Sequence, residues 1–229
     1  MAGPFNWQAC GSALLLLLLL AVAPLAQTQG ESDGGGDSRE AGPGYAAEFL
    51  PQLLRFRDNV DFRFRDRILS PLPEVERQAF QGLAYFDPAP ELALTAVFEA
   101  AADRSVFAMP TYDHRTLRYS HFGTLDAVIP ARTVRLKAFR RASGEGARNV
   151  LLVPFRDATN GGETYAGGRY LELPMPLPEV PVLDFNRAMN PLCAYDPSYA
   201  CPIPPPENRL DLPIRAGEKT YRSSLPNAS

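Results

Sequence analysis

Apolar residues recur at helical spacing early in the chain and at strand spacing later. Leu53, Phe56, Val60 and Phe64 lie three or four positions apart, which puts them on one face of a helix. Pro51 suits the first turn of such a helix, because the N–H it lacks would have no partner there. Asp61 and Arg65 add a favourable i,i+4 pair. The pattern predicts a helix over Pro51–Arg67, with Arg55, Arg57, Arg63 and Arg67 on its solvated face. A basic recognition helix is the sharper alternative, but Asp58, Asp61 and Asp66 interrupt its charge. A second, shorter helix is predicted over Pro73–Gln81, opened by Pro73 and stopped by Gly82.

From Leu83 the period changes to two. Leu92, Leu94, Ala96 and Phe98 alternate, and a turn at Ala101–Arg104 leads to Ser105–Met109. Leu117, Tyr119 and His121 alternate next, then Val134, Leu136 and Ala138. The apolar run Val150–Phe155 and the segments Tyr170–Leu173, Val182–Phe185 and Leu210–Ile214 complete the set. Pro213 lies opposite the Leu210, Leu212 and Ile214 face, as an edge strand permits. Short strands with turn residues between them predict a mainly β (α+β) fold. The expected architecture is an antiparallel β-barrel or roll with two N-terminal helices and a proline-rich C-terminal segment.

The first residues have a different character. Ala13–Ala23 is a nearly pure Leu/Ala run closed by Pro24, the length of a signal-peptide core and short for a membrane span. We expect a signal peptide over residues 1–26, cut after Ala26. The first twelve residues hold no Lys or Arg, so an uncleaved anchor is the alternative. Residues 27–44 are rich in Gly, Ser and acids and read as a flexible spacer. Residues 45–222 then form a single β-rich domain, and 223–229 a tail. This organisation implies an exported chain, periplasmic or secreted, with no membrane span in its mature form. The formal net charge of −3 gives no electrostatic reason to bind nucleic acid. The oligomeric state is not legible.

Three segments go beyond generic patterning. Arg156–Gly167 joins two strands through about twelve residues, where hairpins use two to five. In Leu183–Asn190, a core-facing Leu183 and Phe185 would leave Asp184 and Asn186 together on the opposite face. Cys193–Arg209 holds Pro197, Pro202, Pro204, Pro205 and Pro206 and should be stiff and extended. These segments and their flanks supply a set of planar hydrogen-bonding groups: Asp157, Arg169, Asp184, Asn186, Arg187, Asn190, Glu207, Asn208 and Arg209. Tyr165, Tyr170, Tyr195 and Tyr199 accompany them. Arg forks take carboxylates or phosphates at two points, and amides beside tyrosines suit polar small molecules. The leading reading is a module that binds a small polar ligand, with Asp184, Asn186, Arg169 and Arg187 converging on a pocket. Three others stand beside it. The groups can satisfy one another and clamp the proline-rich tail onto the barrel. They can belong to a hydrolase-type enzyme with paired carboxylates such as Asp157 and Asp184. Or the chain can be an envelope structural or interaction protein with no ligand.

Cys10 leaves with the signal. Cys193 and Cys201 remain, eight positions apart, and an exported chain would pair them in a disulfide. Packed thiols, a redox pair or a metal site are the alternatives, although the spacing matches neither the redox C-x-x-C pattern nor a zinc knuckle. His114 and His121, the only histidines, lack nearby carboxylates in a ligand pattern. We expect no metal site and no cofactor, since no nucleotide or dinucleotide fingerprint is present.

The stretches Pro154–Pro174 and Leu183–Lys219 resemble an uncharacterised bacterial family, domain of unknown function 1684. Within the second, the similarity is carried by Asp184–Ala188, Asn190–Pro191, Cys193–Tyr195, Cys201–Leu210 and Ile214–Glu218. It spans about Ala47 to Tyr221, with Met189 standing where an aromatic residue is expected. The resemblance implies the domain limits and no activity.

Overall fold

The computed structural model describes residues 43–129, 132–142 and 149–222. The expected signal peptide, most of the spacer and the tail lie outside the described residues. Helix α1 runs over Pro43–Arg65 and α2 over Glu74–Ala79. The strands are β1 Ala93–Ala100, β2 Val106–Pro110, β3 Thr116–Ile129, β4 Arg132–Arg141, β5 Val150–Phe155, β6 Arg169–Pro174 and β7 Val182–Asp184.

The strands form one antiparallel sheet in the order β6-β5-β4-β3-β1-β7, and β2 adds to β3. Beyond β7, Met189 exchanges both backbone hydrogen bonds with Tyr170 of β6, at 2.8 and 3.0 Å. That contact brings the two ends of the sheet together into a nearly closed barrel. The period-two positions fill its interior: Leu94 and Ala96, Leu125 and Ala127, Val134, Leu136 and Ala138, Leu151, Val153 and Phe155, Leu171 and Leu173. Their neighbours Thr95 and Val97, on the other face of β1, are exposed, as a strand with one buried face requires. The β3 register slips between His121 and Gly123. A Cβ at Gly123 would sit 2.4 Å from the Phe98 ring, so the bulge needs the missing side chain.

Three sequence expectations need correction. Helix α1 begins before Pro51 and includes it. A mid-helix proline forfeits one backbone bond; here Phe49 and Leu53, on either side, are buried against Ala93 and Val182 and hold the turn in place. Helix α2 stops at Phe80, short of Gly82, because Phe80 leaves the helix and stacks on Phe64 with ring centres 5.5 Å apart. Leu210–Ile214 forms no strand. It is tied to residues 156–158 by separate bonds, Leu210 N–H to Arg156 O at 2.8 Å and Ala158 N–H to Leu212 O at 3.1 Å. Pro213 has no N–H to continue the ladder, and a buried side chain takes the Ile214 carbonyl instead.

Val60 and Phe64 of α1 pack with Leu72, Phe80 and Tyr195 in a second small core. No helix of the described residues is long and apolar enough to cross a membrane.

Candidate functional site

The polar residues singled out in the sequence are divided among several networks. Arg169 opens β6 and is fully buried. Its Nη2 donates to Asp157 Oδ2 at 2.8 Å and to the Ile214 carbonyl at 2.8 Å, and its Nη1 donates to the Ala216 carbonyl. Burial pulls the Arg169 pKa down, and Asp157 opposes that. The other oxygen of Asp157 accepts from the Thr159 and Ile214 amides at 2.8 and 3.2 Å. Arg169 thus holds the C-terminal segment against the barrel, and no lone pair or donor of this pair faces solvent.

Asn186 follows β7 in a short 3-10 turn, Phe185–Arg187, capped by Asp184. Its side chain accepts from the Ala89 amide and donates to the Ala89 carbonyl, both at 2.8 Å. It bonds Ala89 as a neighbouring strand would. Asp184 takes the Asn186 amide at 3.0 Å and pairs with Arg187 Nε at 3.2 Å. Burial raises the Asp184 pKa against those contacts. Arg187 is 42% exposed and lies over the Phe56 ring.

Asn208 uses its amide in the same way, accepting from Lys137 N at 2.8 Å and donating to Lys137 O and Pro154 O at 2.9 and 2.7 Å. Glu207 accepts from Lys137 Nζ at 2.6 Å, which lowers its pKa. Arg209 is exposed, 4.0 Å from Asp211. Asn190 bonds Glu218 through both its backbone and its side-chain nitrogen, at 2.9 and 2.8 Å.

Glu218 was not among the candidate site residues, yet it joins two of these networks. It is 1% exposed and also accepts from the Tyr195 hydroxyl, while its backbone carbonyl receives Arg169 Nη1 at 3.3 Å. Burial pushes its pKa up to about 7. A signal for it existed: Ile214, Ala216 and Glu218 share a period-two face, and all three are buried.

Asp157 and Asp184 therefore have no partner in common, and Arg169 and Arg187 face different surroundings. The Arg156–Gly167 loop is self-braced, with Asn160 accepting from Asp157 N and donating to Thr164 Oγ1 and Tyr165 O. Cys193 and Cys201 form no disulfide, a correction to the sequence expectation; both thiols are free. Among the described residues, no three His, Cys, Asp or Glu side chains are grouped to hold a metal ion.

A cavity of about 490 Å³ opens elsewhere, lined by Gly82, Ala84, Gly162, Glu163, Lys219, Thr220, Tyr221 and Arg222. Three segments meet there. Lys219 N–H bonds Ala84 O at 2.8 Å and Thr220 N–H bonds Glu163 O at 3.1 Å. Tyr221 donates its hydroxyl to Glu76 at 3.1 Å, and Glu163 pairs with Arg215 at 3.0 Å. Arg222 is exposed, with no hydrogen-bond or ion-pair partner among the described residues. Of these lining residues, only Glu163 and Gly162 belonged to a segment that stood out in the sequence.

Comparison with known proteins gives fold and kinship. The family model described as protein of unknown function (DUF1684) matches residues 78–219. The solution NMR structure of an uncharacterized protein from Haloarcula marismortui is 39% identical, with a TM-score of 0.62. The match covers 77% of this chain and 97% of that one. No curated protein matches the chain.

Proposed function

The chain belongs to the DUF1684 family of proteins of unknown function, and from its own geometry we propose that it is a binding module for a small polar anion. The observation that carries this reading is the cavity of about 490 Å³ beside Lys219 and Arg222. Its volume lies in the range of small-molecule sites, roughly 300–1,000 Å³. Arg222 brings a guanidinium with no carboxylate partner among the described residues, and a guanidinium fork matches a carboxylate or phosphate group. Tyr221, Thr220, Ala84, Gly82 and Gly162 supply the rest of the wall with Glu163, whose carboxylate is paired with Arg215 at 3.0 Å. The buried Arg, Asp and Asn groups play a different part: they hold this wall in place, since Glu218 immediately precedes Lys219 and is anchored by Asn190.

Calorimetric titration with citrate and with inorganic phosphate tests the proposal. Saturable binding of either, weakened at least roughly tenfold in Arg222→Ala, supports it. Binding unaffected by Arg222→Ala and Lys219→Ala, or no binding of either probe, overturns it.

We propose further that the chain is exported. The Ala13–Ala23 apolar run and the acid- and glycine-rich stretch after it support this. N-terminal sequencing of the exported material should begin near Gln27, and an intact Met1 in the membrane fraction would refute it.

A further inference from the structure

The two free thiols sit side by side in unequal settings. Cys193 lies on a 3-10 turn, Leu192–Ala194, and is half-buried; Cys201 is buried, 4% exposed. The Cys193 amide donates to Cys201 Sγ at 3.0 Å. The backbone from Cys201 onward is anchored, since its carbonyl receives Tyr112 N–H at 3.2 Å and Ile203 N–H bonds Pro110 O at 2.9 Å. Cys201 and Tyr165 are the polar neighbours that favour the thiolate form of Cys193. Asp113 is the charged group acting on both sulfurs, and its negative charge opposes the Cys193 thiolate.

We propose that Cys193 and Cys201 form a dithiol that exchanges with low-molecular-weight disulfides, with Cys193 as the attacking thiol and Cys201 as the resolving thiol. Access decides the order: a disulfide can reach Cys193 and cannot reach Cys201. Cys201 and then Tyr165 hold the Cys193 pKa below that of an ordinary thiol, while the pairing with Cys193 and then burial raise that of Cys201.

The steps balance. The Cys193 thiolate attacks one sulfur of RS–SR, a mixed disulfide forms and RS⁻ leaves, taking up the proton Cys193 gave to solvent. Cys201 then loses its proton and attacks the Cys193 sulfur, and the second RS⁻ leaves as RSH. The protein has lost two electrons and two protons, and the small disulfide has gained them. The pair is a reversible exchange site, distinct from the permanent cross-link that the spacing alone suggested.

The folded full-length domain is treated with oxidised glutathione, and the products are read by intact mass and peptide mapping. Wild type should lose two hydrogens and retain no glutathione, and a thiol reductant should restore both thiols. Cys201→Ala should stop at glutathione bound to Cys193. Cys193→Ala, with a native near-ultraviolet circular dichroism spectrum, should take up none. Brief alkylation of unmodified native protein should label Cys193 and spare Cys201, a readout that needs no variant. Glutathione retained by wild type, modification of Cys201 in native Cys193→Ala, or two thiols inert until denaturant is added would each overturn the proposal.

Discussion

The guanidinium of Arg169 and the carboxylate of Asp157 meet at 2.8 Å with neither side chain exposed to water. A buried ion pair adds little net stability over a well-packed apolar pair, but removing one partner strands the other charge in a poor solvent. Here the stranded group would also be the one that holds the Ile214 and Ala216 carbonyls. Asp157→Asn is expected to lower unfolding free energy by about 3–5 kcal/mol. Urea unfolding monitored by circular dichroism checks this; a loss below about 1 kcal/mol, the range of exposed pairs, would refute it.

Asn186 and Arg187 are adjacent but should respond very differently. Asn186→Ala strands the N–H of Ala89, whose carbonyl keeps the Leu92 N–H at 2.9 Å, at about 1–3 kcal/mol for the donor left unpaired. Arg187 is 42% exposed, so Arg187→Ala should cost no more than about 1 kcal/mol. Equal losses in parallel denaturant titrations would contradict this division.

Glu218 gives stability a pH dependence of definite sign. Its folded pKa, about 7, lies above the ordinary glutamate value of 4.5 because burial disfavours the carboxylate. The folded state then binds the proton more tightly than the unfolded state. The associated stability is fully present below about 4.5 and is lost as pH rises through about 7. The loss is on the order of 3 kcal/mol. Thermal midpoints measured from pH 5 to 8 should fall in wild type, and Glu218→Gln should flatten that slope. A slope unchanged by the substitution would show that another group titrates.

Gly217 has φ +77°, and a Cβ there would lie 2.7 Å from the carbonyl oxygens of both Phe185 and Ala188. Gly217→Ala combines left-handed strain with a backbone clash, so it should destabilise by more than about 1 kcal/mol. Differential scanning calorimetry showing an unchanged midpoint would refute this.

The barrel was legible because its interior repeats every second residue. Leu94, Ala96, Leu125, Val134, Leu136 and Leu151 all lie on the buried face, and alternation reads directly as a sheet with one face inside. Phe49 and the turn before Pro51 were not legible, because their burial depends on Ala93 and Val182, which are distant in sequence. Leu210–Ile214 shows how a local pattern can mislead. Its alternation is real, since Leu210 and Ile214 are buried, but Arg169 takes the Ile214 carbonyl that a ladder would have used. The polar cluster was legible as a list and not as a geometry. Hydrogen-bonding residue types announce that partners exist; only the fold says that Asn186 finds Ala89 and Asn208 finds Lys137. The cavity residues Lys219 and Arg222 were not legible as a site, because a cation looks the same in sequence whether or not it borders a hollow, and only the fold sets Lys219 over the Phe86 ring at 4.9 Å.

The pairing of Ala89 with Asn186 joins residues 97 positions apart, and β1 finds β7 across a similar stretch of chain. A ribosome delivers β1 first, and at about 5–20 residues per second its partner arrives roughly 5–20 seconds later. Throughout that wait the outer rim of β1 offers unpaired amides and carbonyls to any other nascent chain nearby. Production of this protein is therefore most vulnerable to clumping while it is still being made, and helpers that bind half-finished polypeptides will decide its yield.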